Sequence, residues 1–271
     1  MSNIKTAQDY SVGELMAVAI ARQMKGHDGD WAAVGAYSQL PAAGIKLARI
    51  LYAPNLWWLA GGGGGINSSS KLQTSTSDHR VIRGAEYVMD MEDIVDIEMW
   101  RHNRGNEQIV AVIGGIQIDK RGSSNMVCVG DYAAPKVRGV GTVGLCFGVS
   151  FGVLYFFTMH HNRKIFVDEV DFISSPGHTA DRAKYVQSLC MPPKRVFSPL
   201  GVFDFAPESG FMRIHSLHPG VTVADVQAAT GFEVGVPATV AETEAPTAQE
   251  LAVLRQIVDP DGLLKELRIT R

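Results

Sequence analysis

The stretch Asn55 to Ser70, NLWWLAGGGGGINSSS, decides how the rest of the chain is read. Trp57, Trp58 and Leu59 have the composition of a strand leaving a core, and five consecutive glycines, Gly61 to Gly65, follow at once. A polar run, Asn67 to Ser70, closes the segment. Glycine loses more conformational freedom on folding than any other residue. A run of it is tolerated where backbone must approach something closely, or must aim its amides at a ligand. The functional reading is a loop at the carboxyl end of a strand, its N–H groups turned toward an oxyanion or phosphate. The alternative is a flexible surface linker, but a Trp-Trp strand entering the run is unlike one.

Upstream, Ser11-Val12-Gly13-Glu14 is a capping-box pattern, and Leu15, Val18 and Ala19 repeat behind it at helical spacing until Gly26. Trp31 to Tyr37 reads as a buried strand, and Pro41 opens a second helix through Leu51. Pro54-Asn55 breaks that helix before the Trp57-Trp58 strand. Helix, strand, helix, strand predicts an α/β fold with an open, mainly parallel sheet and flanking helices. In such sheets ligands bind just beyond the carboxyl ends of strands, where the glycine run sits.

Downstream, Met91 to Trp100 is predicted helical, closed by the basic Arg101 to Gly105. Ile109 to Ile113, Asn125 to Val129, Leu154 to Met159 and Lys164 to Phe172 read as strands. Pro135 to Gly141 forms a second glycine loop, carrying Arg138. Val202 to Phe205 and Phe211 to Ser216 make a hairpin, and His218-Pro219-Gly220 turns the chain into a helix over Val223 to Ala229. Thr247 to Glu250 is another capping box, opening a terminal helix. The domain reading is one α/β domain over 1–235, followed by an acidic, alanine-rich mobile linker (Ala238 to Ala245) and that helix over 236–271.

Composition narrows the function. The chain has 271 residues and a formal net charge of −3 with both signs mixed throughout, which argues against a nucleic-acid footprint. Cys128, Cys146 and Cys190 are too scattered for a disulfide frame or a C-x-x-C site, and a reducing, cytoplasmic setting fits. The N-terminus MSNIKTAQDY has no apolar signal core. Val140 to Met159 is long enough to span a bilayer, but its glycines and the strand-like Leu154 to Phe157 favour a buried segment. The glycine run is a poor dinucleotide fingerprint: Ile66 holds the sixth position and no amphipathic helix follows.

Several segments together resemble the β subunit of family I coenzyme A transferases. Gly115-Ile116-Gln117-Ile118-Asp119, with Gly122 and Asn125, is similar to that family's G-x-Q-V-D-x-x-G-x-x-N turn. Arg138-Gly139-Val140-Gly141 stands where the family has a glycine loop beside the acyl group. Leu217 to Thr222, with Thr230-Gly231-Phe232, resembles its closing H-P-G-V-T…T-G-F signature. The resemblance runs from about Ser11 to Phe232. It implies the CoA-transferase α/β fold, an acyl-CoA substrate, no further cofactor, and a homologous α subunit in an α2β2 heterotetramer, with neither nucleic acid nor membrane as partner.

One departure governs the chemistry. In the transferases a β-subunit glutamate at the end of the strand matching Trp57 to Ala60 attacks the thioester. Here that place reads Leu59-Ala60-Gly61-Gly62, which offers no nucleophile. The pattern resembles a divergent, steroid-degrading branch in which the fold has become a hydrolase that opens a ring of the sterol nucleus as a CoA thioester. The expectation is C–C hydrolysis of a cyclic β-keto-type acyl-CoA, with the base on the α subunit. Gly61, Gly62 and Gly63 are the expected oxyanion donors, and Gly64, Asn67, Ser68, Arg138, Gly139 and Gly141 the expected substrate contacts. Arg138 suits a substrate carboxylate or a CoA phosphate. Retained CoA transfer, and a non-catalytic subunit that completes the α subunit's fold, stand as alternatives.

Other residues carry weaker expectations. His79 can orient water or lie exposed in a loop, and Ser68 to Ser70 can polarise a carbonyl. The His160-His161 pair points only faintly to a metal. His218 fixes a turn, and Asp131-Tyr132 lines the pocket or is structural. No G-x-S-x-G elbow is present, which disfavours serine-hydrolase chemistry.

Overall fold

The computed structural model describes residues 9–60, 64–69, 71–90, 92–93, 109–142, 144, 152–180 and 192–270. Its first helix, α1 (Val12–Gln23), starts at the Ser11 capping box: Glu14 N–H donates to Ser11 Oγ and Ser11 N–H to the Glu14 carboxylate. β1 (Trp31–Val34), α2 (Gln39–Leu51) and β2 (Trp57–Ala60) follow. α1 and α2 touch closely because α2 carries Gly44 at the contact. A Cβ there would lie 2.7 Å from Ile20 Cγ2 and 2.8 Å from Ala17 O.

Among the described residues, the main sheet has ten strands. Its centre is parallel: β2, β1, β5 (Ile109–Ile113), β10 (Val153–Phe157) and β12 (Arg195–Ser198), in that spatial order. Side chains alternate across it, as strand geometry requires. Val110, Val112, Val153 and Tyr155 face the core with α1 and α2, while Ala111, Leu154 and Phe156 face the opposite core with Phe166, Val226 and Phe232. Burial on both faces explains why these strands read as continuous apolar runs.

Antiparallel strands flank the parallel centre. β3 (Gly65–Ile66) and β4 (Tyr87–Val88) continue past β2. β13 (Gly201–Phe205) and β14 (Met212–Leu217) continue past β12. Smaller strands β6 (Gln117–Asp119), β7 (Ser124–Asn125), β8 (Cys128–Val129), β9 (Val137–Arg138) and β11 (Phe166–Val167) build two satellite sheets.

Several expectations need correction. The strand expected over Trp31 to Tyr37 ends at Val34, and that expected over Lys164 to Phe172 is only Phe166–Val167. Arg195–Ser198 pairs antiparallel with β13; its basic start hid it from apolar patterning. The segment expected as a mobile linker instead adds β15 (Ala241–Glu242) to the sheet edge, parallel to β14. Beyond α4 (Val223–Ala229), the terminal helix α5 (Ala248–Val253) runs into a π-helical turn, Leu254–Val258, then α6 (Leu263–Glu266). Buried Glu250 and Glu14 pin this C-terminal segment to α1. Arg22 Nε donates to Glu250 (2.7 Å), and Arg255 Nε to Glu14 (2.6 Å). The helix expected over Met91 to Trp100 and the basic run Arg101 to Gly105 lie largely outside the described residues. Among the described residues, no helix is long and apolar enough to cross a membrane.

Candidate active site

Parallel register places Ala60, Val34 and Val112 in one row across β2, β1 and β5. Beyond that row, at the carboxyl rim of the sheet, the chain continues as Gly61, as Gly35-Ala36-Tyr37, and as Ile113-Gly114-Gly115. The rim is therefore backbone-rich on three adjacent strands, as expected of the place where an α/β sheet binds ligands.

β3 returns antiparallel to β2, with Ala60 opposite Gly65. Gly61, Gly62 and Gly63, the expected oxyanion donors, lie outside the described residues. The other residues of this segment expected as substrate contacts make hydrogen bonds within the chain. Gly64 is buried at φ +67, its N–H donating to Ala60 O (3.0 Å). Asn67, at φ +47, accepts from Trp58 N–H (2.9 Å) and donates to Glu86 (3.0 Å). The Ser68 hydroxyl is buried and accepts from Trp58 Nε1 (2.9 Å).

Lys46 of α2 lies under the same hairpin and is only 3% exposed. Its Nζ donates to Ser68 Oγ (3.4 Å) and to the Ser69 carbonyl, and sits 5.3 Å from the Trp58 ring centroid. Burial pushes its pKa down to about 7, and the nearby Arg49 adds to the shift. Sequence reading missed this residue because it is one lysine on an otherwise ordinary amphipathic helix.

The second glycine loop is the β8–β9 hairpin. Gly139 N–H donates to Val127 O (2.8 Å) and Gly141 N–H to Met126 O (3.1 Å), so both amides are bonded within the chain. Gly139 is glycine for space: a Cβ would lie 2.2 Å from Met126 O and 3.3 Å from Ile116 Cδ1, which couples this hairpin to the turn after β5. Gly139→Ala is expected to destabilise the protein by about 3 kcal/mol through that clash. Gly141→Ala, with open space but φ +94, costs about 1 kcal/mol. Thermal unfolding of the two variants checks the ranking. Arg138 is exposed on β9, stacked 5.2 Å over Tyr132 and donating to Tyr132 O (3.2 Å). Tyr132 also stacks on Phe172 at 5.5 Å.

The G-x-Q-x-D motif supports this hairpin from below. Gln117 Oε1 accepts from Asn125 Nδ2 (2.7 Å) and its Nε2 donates to Asp171 (3.0 Å), which in turn accepts from Gly130 N–H (2.9 Å). Asp119 accepts from Arg121 and Ser123 N–H at 2.9 and 2.8 Å. Burial still holds its pKa above the usual carboxylate range.

The histidines divide. His161 is buried, stacked 3.8 Å on Phe166, with hydrogen bonds to Ser198 Oγ (2.8 Å) and Thr230 Oγ1 (3.0 Å). Burial lowers its pKa to about 3, which keeps it neutral. It ties the β10–β11 turn to Thr230 of the closing signature, and no metal-binding group exists among the described residues. His79 is solvent-exposed at the start of α3 (His79–Arg83). His218 lies beside Thr243 (3.0 Å) and its carbonyl accepts from Val221 N–H, consistent with a turn role.

A family profile described as coenzyme A transferase matches residues 14–229. The chain belongs to the coenzyme A transferase family. This family member is 28% identical over 256 residues to the B-type subunit of glutaconate CoA-transferase from Acidaminococcus fermentans, covering 93% of this chain and 94% of that one. It is also 28% identical over 250 residues to the cholesterol ring-cleaving hydrolase IpdB subunit of Mycobacterium tuberculosis, covering 92% and 95%. The crystal structure of Rhodococcus jostii RHA1 IpdAB superposes with a TM-score of 0.80 at 27% identity over 96% of this chain and 99% of that one. The chain is thus a CoA-transferase-like β subunit. Equal identity to a transferase and to a hydrolase leaves the distinction to the site.

Proposed function

We propose that this chain is the β subunit of a heteromeric hydrolase that cleaves a C–C bond in a cyclic β-keto-type acyl-CoA during steroid ring degradation, with the catalytic base on an α subunit. The observation that carries the proposal is Ala60 at the carboxyl end of β2, running into glycines where a transferase presents its nucleophilic carboxylate. Among the described residues, the acidic residue that follows the strands beside β2 at this end of the sheet is Asp90, just past β4. Met89 N–H donates to Gly64 O, which puts Asp90 two strands beyond β2, about 10 Å away at ~4.8 Å per strand. That is too far to occupy the vacant position.

The chemistry balances without a cofactor. Water adds to the ring ketone, and the bond between that carbon and the thioester α-carbon breaks. The electron pair passes into the thioester enolate, which takes a proton at the α-carbon, and the former ketone leaves as a carboxylate. The reaction needs a base for water and donors for two developing oxyanions. The amides of Gly61 to Gly63 follow directly on the strand end and are the donors in this reading, each worth about 3 kcal/mol of barrier. Arg138 offers a fork for a substrate carboxylate or a CoA phosphate.

The test uses this chain co-purified with its α subunit. A ring-ketone acyl-CoA is supplied in ¹⁸O-water, with and without an acceptor acid. Label in the new carboxylate, independent of acceptor, is expected. The second reading is CoA transfer through another carboxylate of the complex. Acceptor-dependent exchange with a borohydride-sensitive glutamyl thioester would establish it and remove the hydrolase assignment.

A further inference from the structure

Among the described residues, Tyr37 is the exposed aromatic on the three-strand rim, and nothing in the glycine patterning points to it. It follows β1, the strand between β2 and β5, so it emerges between the carboxyl ends of those two strands. Its side chain is 80% exposed. Its φ is +53, a left-handed conformation that a bulky residue adopts only when its surroundings impose it. The surroundings do so here. Thr76 Oγ1 donates to Gly35 O (2.9 Å), Ser38 Oγ donates to Ala36 O (3.3 Å), and Gln39 Nε2 donates to Thr74 O (2.6 Å). Segment 74–76 thus straps the Gly35–Ser38 turn to the rim and presents the ring outward.

The glycines beside it are not required by the fold. A Cβ at Gly35 would meet only Ser38 Oγ at 3.7 Å, and at Gly114 only Phe157 from 3.6 Å outward, both ordinary contacts. Neither carries a positive φ. Bare backbone with room above it, next to an aromatic held out by a strained turn, is the arrangement of a binding floor with one wall.

We propose that Tyr37 is a specificity-determining residue, its ring forming the wall against which the cyclic acyl group of the thioester packs while the main chain at Gly35 and Gly114 forms the floor. The proposal rests on the hydrolase reading above for the identity of the acyl group. A flat aromatic face suits a rigid alicyclic ring and does little for a short linear acyl chain. An aromatic contact of this kind is worth up to about tenfold in affinity.

The test measures binding of two non-hydrolysable acyl-CoA thioethers, one alicyclic and one short and linear, to the complex with the α subunit. Wild type, Tyr37→Phe, Tyr37→Ala and Tyr37→Gly are compared, and subunit assembly is followed by size-exclusion chromatography. Wild type and Tyr37→Phe are expected to prefer the alicyclic ligand. Tyr37→Ala and Tyr37→Gly are expected to lose about tenfold for that ligand and nothing for the linear one. Tyr37→Gly is expected to keep or raise the thermal midpoint, because glycine relieves the left-handed turn. Equal losses on both ligands, an undiminished preference in Tyr37→Ala, or dissociation of the complex would overturn the role of Tyr37 and leave the hydrolase reading standing. A wild-type complex with no preference and no ring-opening activity would instead remove the hydrolase reading itself.

Discussion

Glu250→Gln is expected to lower the thermal midpoint by roughly 6 to 12 °C at neutral pH. Glu250 is 2% exposed, far along the chain from its partners. It accepts from Arg22 Nε (2.7 Å) and Nη2 (2.8 Å), from Tyr52 Oη (2.5 Å) and from Thr247 N–H (2.6 Å). The amide replacement removes the charge and leaves a half-buried guanidinium with half its fork unmatched. Breaking such a pair costs about 3 kcal/mol, and each kcal/mol shifts the midpoint by roughly 2 to 4 °C in a protein of this size. The sign with pH is also fixed. Burial acts to raise the Glu250 pKa, but hydrogen bonds from Arg22 and Tyr52 outweigh it and bring the carboxyl down to about 2 from an ordinary 4.5. The charge-dependent stability is therefore fully present above pH 4.5 and is lost as pH falls from there toward 2. Solvent at the Arg22 guanidinium, 22% exposed, screens part of it, so about 2 kcal/mol is expected to vary with acid. Urea unfolding of wild type and variant at pH 7, 4 and 3 checks this. A gap that widens in acid, or no gap at neutral pH, contradicts it.

Lys46→Met is expected to make the protein more stable below pH 7, and wild type is expected to recover the difference as pH rises. Among the described residues no carboxylate pairs with the Lys46 ammonium; its partners are a hydroxyl, a carbonyl and the Trp58 ring. The folded pKa is about 7 and the ordinary value 10.5. Between those limits the unfolded chain holds a proton that the folded one does not, so stability rises with pH, by about 1.4 kcal/mol per unit. Across the whole window this amounts to roughly 4 to 5 kcal/mol relative to methionine. Below pH 7 the charge is present in both states and the gap between wild type and variant stays constant. Urea midpoints at pH 6, 7, 8 and 9.5 measure it; a gap independent of pH throughout would show that Lys46 is charged in both states.

Lys46 also shows what a sequence conceals. Its helix was readable from Ile45, Leu47, Ala48 and Leu51, but only the packing of α2 against the β2–β3 hairpin turns the polar side chain inward. Glu250 differs. Its capping box was legible, yet its ion pair to Arg22 spans 228 residues and no local pattern encodes such a contact. Asn67 and Ser68 are expected ligand contacts from their place in the glycine segment, and Gly139 and Gly141 from the resemblance. Tertiary structure engages their polar groups within two hairpins, because a polar atom buried in a tight turn must find its partner there.

What the amino-acid order determined by itself was local or periodic: the capped helices, the apolar strands, the break at Gly61 to Gly65, and the motif residues that mark a CoA-transferase β subunit. These follow from propensities and spacings that act over a few residues. Tertiary structure alone decided that the Gly139 and Gly141 amides are bonded within the chain, that Lys46 lies buried, and that Tyr37 stands exposed between the ends of β2 and β5. Each of those depends on strand order and register, which bring residues distant in sequence onto one edge of the sheet.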